Sequence, residues 1–129
     1  MNPRLLHQLW RNLVPRYNTD TTMTEQKKTR RQLLEEFVAK EPNDSFSRYG
    51  LALECSNSGD APNADLHFRE LLQRNIEYVP AYLMYAQFLV KQSRTDEARA
   101  ILNTGITVAA RKGDAHARSE MESLFSELS

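Results

Sequence analysis

Three histidines, one cysteine and several paired acids are the residues of this 129-residue chain whose types suit metal ligation, nucleophilic attack or proton transfer. A zinc site needs ligands a few residues apart, but His7, His67 and His116 are widely separated, and none has Cys55 or another ligand at metal spacing. Each reads as a surface histidine. Glu35-Glu36 and Asp96-Glu97 fall on helix faces among basic residues, where solvation accounts for them. The sequence contains no glycine-rich phosphate loop, no G-x-S-x-G and no H-E-x-x-H. Cys55 lies on an apolar helical face and reads as a small buried hydrophobe, with a reactive thiol as the alternative. Asn43-Asp44-Ser45 matches a glycosylation sequon, but no secretory signal gives it weight. The expectation is a protein with no catalytic residues, no cofactor and no metal.

The other chemistry to weigh is charge. Lys27-Lys28 and Arg30-Arg31 form a basic cluster that could meet phosphates. It lacks interleaved aromatics and shares its helix with apolar residues, so a solvated face is preferred to nucleic-acid binding through segment 27–31. Net charge is zero, yet residues 1–32 hold seven Lys and Arg against two acids, leaving residues 33–129 with ten against fifteen. The body is thus mildly acidic behind a basic leading segment. No apolar run approaches the roughly 20 residues of a membrane span. The single cysteine rules out an internal disulfide and fits a reducing, cytoplasmic setting.

The elements that position these residues recur. At an offset of 34, Leu51-Ala52 overlies Tyr85-Ala86, Cys55 overlies Leu89, Ala64 overlies Ala98 and Phe68 overlies Leu102. Run backwards, Ile76 lands on Pro42 and Leu71 on Phe37. A period of this size marks stacked supersecondary units. Only four Gly and five Pro argue against a strand-rich fold.

Residues 1–22 differ from the rest. Leu6, Leu9, Trp10 and Leu13 fall at helical spacing before Pro15, and Tyr17–Thr22 reads as a polar linker. Three readings stand: a disordered or upstream segment, an extra amphipathic helix on the repeats, or a transit-type presequence. From Thr22, Thr22-Met23-Thr24-Glu25 has capping-box spacing, and Leu33, Leu34, Phe37 and Val38 form an apolar stripe ended by Pro42. Asp44 or Ser45 can cap a helix carrying Phe46, Tyr49, Leu51, Ala52, Leu53 and Cys55. Gly59 suits a left-handed helix end, and Asp60 with Pro62 opens a helix with Ala64, Phe68, Leu71 and Leu72 inward. Pro80 opens the second unit, with Ala81, Tyr82, Tyr85, Ala86, Leu89 and Val90 in adjoining stripes. Thr95 can cap its partner, in which Ala98, Ile101, Leu102, Gly105 and Ile106 face inward until Gly113. Residues 114–128 read as a terminal solvating helix with one apolar stripe, Met121 included.

Antiparallel helices approach closely only where a crossing residue is small. Ala52 and Ala64 supply this in the first pair and Ala86 and Ala98 in the second, with Phe68 and Leu102 as the larger knobs.

Leu51-Ala52, Cys55, Gly59-Asp60, Ala64, Phe68 and Leu71, then Tyr82, Tyr85-Ala86, Leu89, Ala98 and Leu102, resemble the tetratricopeptide repeat, a 34-residue helix–turn–helix unit. The resemblance covers about residues 25–128 and implies an all-α, right-handed superhelix of antiparallel helix pairs. It implies about six helices, an N-terminal helix being a further option. The expected organisation is an extension over 1–22 and a repeat domain over 23–129, with units at about 45–78 and 79–112 and a cap at 114–128. The pattern is broken by Ile76 at the closing proline, Ser93 at the second turn glycine and Gly105 at a larger packing position. Tyr82 can serve for the usual tryptophan. Family resemblance implies an interaction scaffold that binds a peptide or helix along the face built by the first helix of each pair. That face presents Phe46, Tyr49, Leu53, Ser56 and Asn57, then Leu83, Gln87, Val90 and Lys91. Tyr49 and Leu83 stand where a basic carboxylate clamp would begin, so the face is mostly apolar. The expected partner is a protein, a peptide or a second copy of the chain in a homodimer.

Overall fold

The computed structural model describes residues 27–128. The chain divides into two compact units, Met1–Leu33 and Leu34–Ser129. The amphipathic segment around Leu6–Leu13 and the box at Thr22–Glu25 lie outside the described residues. A different box opens the first described helix. Thr29 and Gln32 each donate a backbone N–H to the other's side chain, at 2.9 and 3.1 Å. This satisfies two of the donors that a helix start leaves orphaned.

Six helices follow among the described residues: α1 (Arg30–Lys40), α2 (Ser45–Asn57), α3 (Ala61–Arg74), α4 (Val79–Lys91), α5 (Thr95–Lys112) and α6 (Ala115–Glu127). Of the apolar stripe read on α1, Val38 is buried and Leu34 half-buried, but Leu33 and Phe37 are exposed. Leu34 and Val38, four residues apart, share the one face that reaches the core, and the other two lie round the wheel from it.

Local chemistry sets the helix ends. Asp44 rather than Ser45 caps α2, accepting the Ser47 N–H at 3.0 Å, and those Ser47 bonds hold its carboxyl below the usual range. Asp60 and Asp114 cap α3 and α6 in the same way. Thr95 does not cap α5: it is the first helical residue, and Arg94 before it makes no side-chain cap bond. Helices α2, α4 and α5 close on the same device, a backbone bond reaching back five residues from Asp60, Arg94 and Asp114. The residues just before these donors are left-handed: Gly59 at φ 81°, Ser93 at φ 60° and Gly113 at φ 73°.

Helix α2 packs on α3, α4 on α5 and α5 on α6, while α4 also touches α2, α3 and α6. Helix α4 is the hub. Val79, Ala81, Tyr82, Tyr85, Ala86, Phe88 and Leu89 are all buried on it. Ala52, Ala64, Phe68, Ala86, Ala98 and Leu102 are fully buried at the helix crossings, with Leu51, Leu71, Cys55 and Met121 beside them. Phe68 stacks on Tyr85 with centroids 5.1 Å apart and tilts against Phe88 at 6.0 Å, joining the two pairs through their aromatic rings. On α5, Ile101 and Ile106 are only half-buried, and Val108 and Ala109 take the inward places instead.

Candidate protein-binding face

The first helices of the pairs, α2 and α4, carry the residues singled out for binding. Phe46, in the first turn of α2, is 75% exposed, the most open large hydrophobe among the described residues. Tyr49, Leu53, Leu83 and Val90 are half-buried: each packs one side on the core and leaves the other outward. Asn57, Gln87 and Lys91 are exposed and Ser56 half-buried. Tyr49 lies against Tyr78, which precedes α4, with ring centroids 5.5 Å apart. Burial, and then the neighbouring Tyr78, raise the Tyr49 phenol above its usual range, so it remains a neutral donor.

Sequence reasoning missed the third wall of this face. Helix α6 read as a solvating end cap, but it brings His116, Ser119, Glu120, Ser123, Leu124 and Glu127 opposite Leu83 and Gln87 of α4. A depression of about 340 Å³ lies between them. The signal was present in the sequence, since Leu124 belongs to the stripe that seats α6 and Glu120 lies beside it. Periodicity alone does not say which flank meets a neighbour.

On the opposite side, α3 and α5 do not pack on one another, and a cleft of about 430 Å³ opens between them. Tyr82 and Tyr85 floor it, and Leu72, Ile76 and Ile101 line it. Its polar groups are mostly engaged within the fold. The Tyr82 hydroxyl donates to the Ile76 carbonyl at 2.6 Å, and the Tyr85 hydroxyl donates to Asp65 at 2.7 Å. Asp65 also accepts Arg94 at 3.1 Å and pairs with Arg69 at 3.0 Å, while Arg94 grips Glu97 at 2.6 Å. The Glu97 bond raises the Arg94 guanidinium further and holds the Glu97 carboxyl low. Burial raises the Tyr85 phenol, and its bond to Asp65 raises it further.

The residues first weighed for chemistry have structural places. Cys55 is fully buried. His67 is half-buried on α3 rather than on the surface, His116 is exposed beside Glu120, and His7 lies outside the described residues. Asp96 and Glu97 are ion-paired to Arg99 and Arg94. Asn43 accepts a hydrogen bond from Arg74, and Ser45 accepts one from Asn75. No group of three or more His, Cys, Asp or Glu among the described residues could hold a metal ion. None of the described helices is long and apolar enough to cross a membrane.

One buried group was unforeseen. Arg48 on α2 is 8% exposed, and its guanidinium donates to the Pro42 carbonyl at 3.2 Å while Nε has no hydrogen-bond partner. It sits 34 residues before Tyr82, and Pro42 sits 34 before Ile76, so the two side chains make equivalent bonds.

The tetratricopeptide repeat family matches residues 57–118. The crystal structure of a tetratricopeptide repeat domain protein from Salinibacter ruber is 30% identical, spans 66% of this chain and 94% of its own, and superposes with a TM-score of 0.62. A Bordetella parapertussis protein solved in solution is 20% identical over 79% of this chain and 89% of its own, with a TM-score of 0.68. The Yersinia enterocolitica type III secretion translocator chaperone SycD is 15% identical over 99% of this chain and 86% of its own, with a TM-score of 0.70. The last two share the fold. No curated protein matches this sequence. With helix pairs repeating every 34 residues and a 30% identical relative covered almost end to end, this chain belongs to the tetratricopeptide repeat family.

Proposed function

We propose that the chain is an interaction scaffold that binds a helical or extended segment of a partner protein along the face of α2 and α4. Phe46 carries the reading. An aromatic side chain left three-quarters in water, next to half-covered Tyr49, Leu53, Leu83 and Val90, is apolar surface that gains by being covered. The opposite cleft supports this by contrast, because its polar lining is mostly spent on internal bonds. The reading assigns no catalytic step to the protein.

The test is chemical-shift mapping on the full chain with an amphipathic leucine-containing peptide as probe. Shifts gathered at Phe46, Tyr49, Leu83 and Gln87 support the face, and shifts gathered at Gln73, Ile76 and Ile101 contradict it. The same exposure of Phe46 favours a second reading, self-association through this face. Light scattering over a concentration series separates the two: a monomer throughout leaves the face to a partner, and a dimer gives it to a second copy.

A further inference from the structure

The two depressions flanking α4 differ in what their polar groups are doing. In the α3–α5 cleft, Arg69, Glu97, Thr104 and both tyrosine hydroxyls are already bonded inside the protein. In the α4–α6 depression, the side chains of Gln87, Ser119, Ser123 and Glu127 make no hydrogen bond or ion pair among the described residues. Glu120 there faces His116. Leu83 and Leu124 supply an apolar floor, and no Lys or Arg among the described residues lines the site. Arg118, the one arginine of α6, is held by Glu122 at 2.6 Å on the flank that faces α5. The depression thus combines an apolar floor, amide and hydroxyl groups with unused bonding capacity, and two carboxylates, Glu127 and the His116-paired Glu120, with no Lys or Arg among the described lining residues.

We infer that the α4–α6 end of the face selects a segment that offers an apolar side chain flanked by lysine or arginine. The inference rests on the scaffold reading above and adds the partner's charge. An apolar anchor would cover Leu83 and Leu124, and the flanking cations would meet Glu120 and Glu127. The Gln87 amide, which can both donate and accept, would engage the segment's backbone. The mildly acidic balance of residues 33–129 acts in the same direction, drawing cationic segments towards the domain at low ionic strength.

The experiment is fluorescence anisotropy on the full chain with two labelled peptides, a leucine–alanine amphipathic helix with lysine on its polar face and its twin with glutamate there. The lysine peptide is expected to bind about tenfold more tightly, from two partly exposed charge contacts. That preference should fade with salt and fall towards unity in the Glu120→Gln/Glu127→Gln variant, whose exposed positions leave the fold intact. Equal binding of the twins, lost in Leu83→Ala, would overturn the charge selection while leaving the scaffold reading in place. Binding by neither peptide would overturn both.

Discussion

The two helix pairs, α2–α3 and α4–α5, solve one packing problem with different residues. In the second, Tyr82 reaches back to the carbonyl of Ile76, and Gly105 makes room for it. A Cβ at Gly105 would lie 2.6 Å from both Tyr82 Cβ and Met121 Sδ. In the first, Arg48 reaches back to Pro42, and Leu71 fills the position equivalent to Gly105. A bulky aromatic with glycine, or an arginine with leucine, serves the same crossing. At the turn the substitution runs the other way, with Gly59 in the first pair and left-handed Ser93 in the second. A repeat therefore constrains the sum of side chains at a crossing and the backbone angle at a turn more tightly than it constrains each residue type.

The largest test of this correspondence removes the knobs. Phe68→Ala should cost about 3–5 kcal/mol in chemical denaturation. Leu102→Ala, at the equivalent place, should cost less, since Phe68 alone packs its ring against two rings of the neighbouring pair. Gly105→Ala should lower stability by about 1–3 kcal/mol through overpacking against Tyr82 and Met121. Helix propensity alone predicts the opposite sign, so a stabilised Gly105→Ala protein would show that the close approach is not enforced. Tyr82→Phe should cost about 1 kcal/mol by orphaning the Ile76 carbonyl. Arg48→Met should stay within about 1 kcal/mol of the native protein, because relief of a desolvated guanidinium, whose ionisation burial already disfavours, offsets the lost bond. The smallest test exchanges the turns: Ser93→Gly should gain about 1 kcal/mol and Gly59→Ser lose about the same, read as shifts in the denaturation midpoint.

Much of the architecture was legible in the sequence because each cue acts locally. The Asp60 cap, Pro62 and Gly113 depend only on neighbouring backbone, and the 34-residue register repeats such local cues from one unit to the next. What depended on a third helix was not legible. Arg48 reads as a surface residue by type, but in the fold it is buried and donates to the Pro42 carbonyl held near α2. Phe88 went unnoticed because the stripes read on α4 omit it, yet a hub helix is covered on more than one side. Leu33 and Phe37 were read into one apolar stripe with Leu34 and Val38, but α1 meets the core along the narrow line of the latter two. At the proposed binding face, the α2 and α4 positions followed from the resemblance to the repeat family, which implies binding along the first helix of each pair. The part played by α6 required knowing which of its flanks turns towards Leu83.

The most direct test of the scaffold reading is the Tyr49→Ala/Leu83→Ala double variant of the full chain, measured by circular dichroism and by anisotropy with the lysine-faced peptide. The account predicts an unchanged helical signal at room temperature and loss of peptide binding. Retained binding, or a collapse of helicity that makes these residues core rather than surface, would contradict it.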